Sequence, residues 1–348
     1  MFSLQGNRSS IFAEAARLLF SEDLTIILNA LHGEDYGIET LNFHLVSHEI
    51  WPDGIASITK PILSLIASPF LRSLAITHFN NIPVDFIDNT QITRLSLKGV
   101  NFKQATVLAR GRRPPIKTFS SNSRIPDAFN DTPSNSLFRE LKSFLTVCET
   151  ALHFANARQI LAAASQTVAH VDLSAFGPVT HSELFDLSLL PNLATLHLTD
   201  GTSTSSVFPH NGRGSISFLT AILDVQGLLA NLTNLTLLVH LSGDVFHDTD
   251  FSNIVASEPN SEWERLDRIL TGPHYPSLAH LKFSFFFEVR FQATEQVPEP
   301  GQDFDEDTFN DLGAARVKEL FPRLSKHSQI ELTIDVDCWN NVSRRQNA

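Results

Sequence analysis

The chain has 348 residues, 42% of them hydrophobic and 18% charged, which is enough apolar content for a sizeable core and enough length for two domains or one extended one. Lys and Arg number 26 against 38 Asp and Glu, giving a formal net charge of -12; such a chain repels nucleic-acid phosphates and anionic lipid, and neither is expected as a partner. Its two cysteines, Cys148 and Cys338, exclude a disulfide framework and a zinc site, and unpaired thiols point to a reducing, intracellular compartment, cytoplasmic or nuclear.

The N-terminal stretch MFSLQGNRSSIFAEAARLLF has no long apolar run before Glu14, so no secretory signal is expected. Charges interrupt every apolar run before the roughly 20 residues of a membrane helix are reached. Residues 11–31 read as one or two amphipathic helices, which with the rest of 1–37 form an expected helical cap. A strand follows at Ile38–Leu45 with Ile38, Leu41 and Phe43 inward. Residues 55–67 read as a helix with Pro61 limiting its first turn. FLRSLAITHF is the next strand, with Leu71, Leu74 and Ile76 inward.

A shorter unit, QITRLSLKGVNF, places Ile92, Leu95, Leu97, Val100 and Phe102 in the same pattern. PIKTFSSNSRIP repeats the strand, and LFRELKSFLTV supplies another at Leu141–Val147. A helix is expected over 151–164. Then TVAHVDLSAF turns Val168, Val171 and Leu173 inward, LPNLATLHLTD turns Leu193, Leu196 and Leu198, and LTNLTLLVHL turns Leu232, Leu235 and Leu237. Ser261–Phe287 is the clearest copy. Ser261 and Glu264 have capping-box spacing, Trp263, Leu266, Ile269 and Leu270 form one apolar stripe, Gly272-Pro273 stops the helix, and Leu278, Leu281 and Phe283 begin the strand. HSQIELTIDV is the last strand.

Marking each strand by one core residue (Leu41, Leu74, Leu95, Phe119, Phe144, Val171, Leu196, Leu235, Leu281 and Leu332) gives successive separations of 33, 21, 24, 25, 27, 25, 39, 46 and 51 residues. The central values fall in the window of about 20–29 residues of leucine-rich repeats. The excess in the later ones is assigned to polar surface loops at 201–215, 242–260 and 293–312. Strand–helix units of this length imply parallel strands. The expected fold is therefore α/β: a leucine-rich-repeat-like solenoid over 38–337, with irregular repeats, a curved parallel sheet and helices on its convex side, followed by a flexible tail over 338–348. An ordinary layered α/β domain is the alternative.

L-x-x-L-x-L matches best at 71–76, 92–97, 193–198 and 278–283. Together with the W-x-x-L-D-x-x-L helix ending before Tyr275-Pro276, it makes the chain resemble the leucine-rich-repeat region of fungal F-box-like proteins over roughly 38–337. The resemblance implies recruitment of a substrate protein to a cullin-type ubiquitin ligase, with an F-box docking on the ligase adaptor and the repeats holding the target. Residues 1–37 contain no Leu-Pro-x-Glu helix start, so the F-box itself is not found there.

The residues between the inward positions should line an outward sheet face. Among them His170, Asp172, Thr195, His197, His280 and Lys282 are the candidate partner-binding residues. His170, His197 and His280 are not all on adjacent strands, so one ion is not expected to join them. Asp303, Asp305 and Asp307 imitate a calcium loop, but Thr308 and Ala314 stand where that chemistry needs Gly and Glu. Arg110, Arg112, Arg113 and Lys117 form the densest basic cluster and could take an acidic peptide or a phosphate. No G-x-S-x-G, H-E-x-x-H, C-x-x-C or phosphate-loop spacing occurs, so no catalytic residue, cofactor or metal is expected. The function expected is a non-enzymatic protein–protein interaction scaffold; an enzyme with an unrecognised site and a degenerate paralogue without a ligase role are the alternatives.

Overall fold

The computed structural model describes residues 38–50, 56–103, 112–126, 129, 136–176, 185–201, 216–243, 260–289 and 306–340, together with Ile26. The expected cap over 1–37 otherwise lies outside these residues. The fold is α/β, with ten described strands, and every strand pairing described below is parallel. The chain divides into two compact units: unit 1 holds Met1–Thr146 and Ala155–Val168, and unit 2 holds Val147–Phe154 and Ala169–Ala348.

In unit 1, β1 (Thr40–Ile50) is followed by α1 (Ala56–Ile66), β2 (Ser73–Asn80), β3 (Arg94–Lys98), β4 (Thr118–Ser121) and the start of β5 (Ser143–Cys148). Each strand pairs with the next in the chain, and the inward residues align across them: Leu41 opposite Leu74, then Leu95, Phe119 and Phe144. All five are buried. The Phe119 and Phe144 rings stack with centroids 6.1 Å apart.

The chain enters each strand the same way. The Glu39 carbonyl accepts from the N–H groups of both Arg72 and Ser73, Arg72 from Thr93 and Arg94, Thr93 from Lys117 and Thr118, and Lys117 from Lys142 and Ser143. Three residues ahead of Leu74, Leu95, Phe119 and Phe144 sits another buried residue, Leu71, Ile92, Ile116 and Leu141 respectively. This is the physical content of L-x-x-L: the first Leu plugs the turn, the second starts the inward face of the strand.

Unit 2 repeats the plan. α2 (Ala151–Ala163) begins in it and runs into unit 1; β6 (His170–Phe176), β7 (Thr195–Gly201), α3 (Ile216–Leu223), β8 (Asn234–Gly243), α4 (Asn260–Leu270), β9 (His280–Val289), α5 (Glu306–Leu320) and β10 (Glu331–Asn340) follow. Val171, Leu196, Leu235, Leu281 and Leu332 lie in register. Ala169, Ala194 and Thr233 are the doubly accepting carbonyls, and Leu193, Leu232 and Leu278 the buried plugs. The last strand departs from the pattern. Its plug, Ile330, stands two residues ahead of Leu332, and Leu332, Ile334 and Val336 are only half-buried. Among the described strands β10 pairs with β9 alone.

Helices cover the inward face of unit 2. Trp263 on α4 lies 1% exposed between Phe285 (centroids 6.0 Å apart) and Phe321 (5.7 Å, nearly perpendicular), and Phe321 stacks on Phe283 at 4.5 Å. Asp267, buried on the same helix, accepts hydrogen bonds from the backbone N–H groups of Arg323 and Leu324, each at 3.0 Å, and so caps a 3-10 turn over Leu324–Lys326. The Tyr275 hydroxyl donates to the Leu223 carbonyl, and burial pushes its pKa well above the usual phenol range. Gly272 ends α4 where a Cβ would approach the Ile269 carbonyl oxygen to 3.0 Å.

Several expectations are corrected. α4 already includes Asn260, so Ser261 lies inside its first turn and not ahead of it as a cap. Residues 306–312, expected in a loop, are helical because α5 starts at Glu306. Pro61 sits five residues into α1, where its missing N–H leaves one helical bond unmade. β5 starts at Ser143 and not at Leu141, which is the plug. β10 runs three residues beyond Asp337, into the expected tail. Of the basic cluster, Arg110 lies outside the described residues and Arg112 and Lys117 are exposed, but Arg113 is 1% exposed, with Nε 3.9 Å from Asp88 and its guanidinium 5.5 Å from the Phe129 ring centroid.

Replacing Asp267 by Ala removes an acceptor from two backbone donors, one of them buried, and should lower unfolding stability by about 2–4 kcal/mol. A urea midpoint shift at unchanged m-value measures this; a shift worth under about 1 kcal/mol contradicts the capping role.

Candidate functional site

Each strand of unit 2 turns alternate side chains away from the helices, because successive Cβ atoms leave a pleated strand on opposite faces. Strand register assembles these side chains into rows. The first row is His170, Thr195, Asn234, His280 and Glu331; the second is Asp172, His197, Thr236, Lys282 and Thr333. All six sequence-derived site residues fall in these two rows, within unit 2, and all are half-buried or exposed. Asn234 and Thr236 complete the rows on β8. The alternation of LTNLTLLVHL marks them, since each stands just before an inward Leu.

Three charged contacts cross neighbouring strands. His197 Nδ1 lies 3.9 Å from Asp172 Oδ2, His280 Nδ1 lies 3.0 Å from Glu331 Oε2, and Lys282 Nζ lies 2.5 Å from Asp335 Oδ2. Lys282 and Asp335 are one row apart, so the lysine reaches diagonally. Burial raises the Asp172 pKa above its ordinary 3.8, with the His197 charge partly offsetting the rise. His240, on the same face of β8, packs against Phe286 with ring centroids 5.3 Å apart, and burial lowers its pKa below the ordinary 6.5. Sequence reading missed His240 and the contacts that cross strands: His280 and Glu331 stand 51 positions apart in the chain.

His280 stands two strands from His197 and three from His170. At about 4.8 Å per strand these cannot share an ion, and among the described residues no group of three or more His, Cys, Asp or Glu is placed to hold a metal. Asp307 lies in α5, whereas Asp303 and Asp305 fall outside the described residues. Cys148 is buried. No described helix is long and apolar enough to cross a membrane. In comparisons with known proteins, no family model and no curated protein matches the chain.

Two outcomes follow. The Lys282–Asp335 pair is half-exposed on both sides, so a double-mutant cycle with Lys282→Ala and Asp335→Ala should give a coupling below about 1 kcal/mol that shrinks in high salt. His240 resists protonation in the folded state. Below pH 6.5 the unfolded chain therefore binds the proton first, and stability falls as pH drops through that window. Thermal melts of His240→Gln should lose part of that acid sensitivity while keeping the neutral-pH behaviour.

Proposed function

We propose that the chain is a non-enzymatic interaction scaffold, a leucine-rich-repeat-like solenoid whose open sheet face in unit 2 holds a protein partner, similar to the substrate-recognition part of an F-box ubiquitin-ligase subunit. The observation that carries this reading is the pair of rows His170–Thr195–Asn234–His280 and Asp172–His197–Thr236–Lys282. Ten mixed donor and acceptor side chains, counted with Glu331 and Thr333, stand in fixed register on hydrogen-bonded strands. Their spacing is set by the backbone and costs little ordering on binding. Repeat proteins use such faces for extended recognition.

The solenoid reading is supported by the strand-entry pattern, used seven times with the same two-donor, one-acceptor geometry. The ligase link is supported only by the resemblance of 38–337 to F-box-like proteins; the candidate adaptor partner is the cullin-ligase adaptor, and the substrate would be a second protein.

The test compares the wild-type chain with His170→Ala/Asp172→Ala/Thr195→Ala/His197→Ala in crosslinked capture from lysate, after matching melting curves show both are folded. A partner retained by the wild type and reduced at least about tenfold by the variant is the expected result, three to four contacts at 0.5–1 kcal/mol each being lost. Equal capture removes this face as the binding surface. Direct binding to purified ligase adaptor separately tests the ligase link.

A further inference from the structure

Four histidines stand on the open face of unit 2. Register puts His170 on β6, His197 on β7, His240 on β8 and His280 on β9, all on this face. The other charged side chains described there are Asp172 on β6, Lys282 on β9, and Glu331, Asp335 and Asp337 on β10. With neutral imidazoles, four carboxylates against one ammonium leave an excess of three negative charges.

Histidine is the side chain whose charge changes between about pH 5 and 8. Two of the four already touch carboxylates of the same face, His197 with Asp172 at 3.9 Å and His280 with Glu331 at 3.0 Å. His240 is set apart by its burial against Phe286. Protonating the other three adds as many positive charges as the excess counted over these described side chains. The alignment is fixed by strand pairing, so the face cannot rearrange to avoid the added charge.

We propose that this face docks a basic polypeptide segment at neutral pH and releases it on acidification through protonation of His170, His197 and His280. This rests on the reading of the same face as the partner-binding surface. Complementary charge supplies the attraction: Glu331, Asp335 and Asp337 take three of the four alternate positions from 331 to 337 on one face of β10, Thr333 taking the other, and these positions recur at about 6.7 Å per two residues, the repeat of alternate side chains on an extended peptide. Incoming lysines compete with His280 and Lys282 for Glu331 and Asp335. Once charged, His280 holds Glu331 and His197 holds Asp172, and the added positive charge repels the segment.

The probe is a labelled peptide of alternating lysine and serine, titrated with the full chain at constant ionic strength. Wild-type binding should weaken about tenfold from pH 7.5 to 5.5. His170→Gln/His197→Gln/His280→Gln should bind like the wild type at pH 7.5 and change less than about twofold between the two pH values. Glu331→Gln/Asp335→Asn/Asp337→Asn should lose binding, whereas Glu140→Gln/Glu149→Gln, exposed carboxylates elsewhere, should not. A wild-type measurement stands independently of any variant's folding: calorimetry at pH 6.5 in two buffers of different ionisation enthalpy should show protons released on binding. The proposal is overturned by absent wild-type binding at pH 7.5, by an unchanged pH response in the histidine variant, by equal loss in the control variant, or by no proton release. Should the captured partner still depend on the face while these tests fail, the docking reading survives and only the basic, acid-released partner is lost.

Discussion

The shared strand-entry carbonyl is the constraint on which the described structure depends. In seven places one carbonyl just ahead of a strand accepts two successive N–H groups from the chain entering the next strand. An acceptor with two lone pairs is fully used this way, and the contact leaves little freedom in where the next strand begins. Strand start is thereby fixed, and with it the register. In a structure with a side-chain period of two, register decides which residues are buried and which are displayed. The buried plugs, Leu71 through Leu278, fill the space beneath these turns. Their burial disfavours a shifted entry, since a one-residue slip would bring a polar neighbour inward.

The polar rows of unit 2 are a consequence of that registration. A threonine, a histidine and a lysine on three separate strands form a usable surface only when each strand starts at the same level. The row positions also show why the charged contacts there contribute little to stability. The side chains of Lys282 and Asp335 are nearly half-exposed, where the net value of an ion pair is small. The interactions that stabilise unit 2 lie on the other face. There Trp263 sits between Phe285 and Phe321, and Asp267 ties α4 to the turn before β10. The polar rows and the aromatic packing are thus divided between the two faces of the sheet in unit 2.

Arg113 shows how a local sequence signal can mislead. ARGRRPPIK looks like a solvated basic cluster, yet Arg113 is inside, beside Asp88 and the Phe129 ring. Neither neighbour is close in sequence, and the interaction with each exists only after the chain has folded back on itself. The helix at Glu306–Leu320 was hidden for a different reason: its acidic opening EDTFND has the composition of a loop, and its apolar side is sparse, with Val317 fully buried.

The sequence by itself determined the strand positions and their polarity. Leucine spacing of three then two residues marks the plug and the inward face, and all ten residues chosen to mark strands lie in lateral register within their units. Alternation then assigned His170, Asp172, Thr195, His197, His280 and Lys282 to the opposite face. These features are local, carried by residues two or three apart. Only the tertiary structure decided how His280 meets Glu331 and Lys282 meets Asp335, and which charges are buried. Those contacts join residues 50 or more positions apart, across segments whose length and composition say nothing about where their ends return.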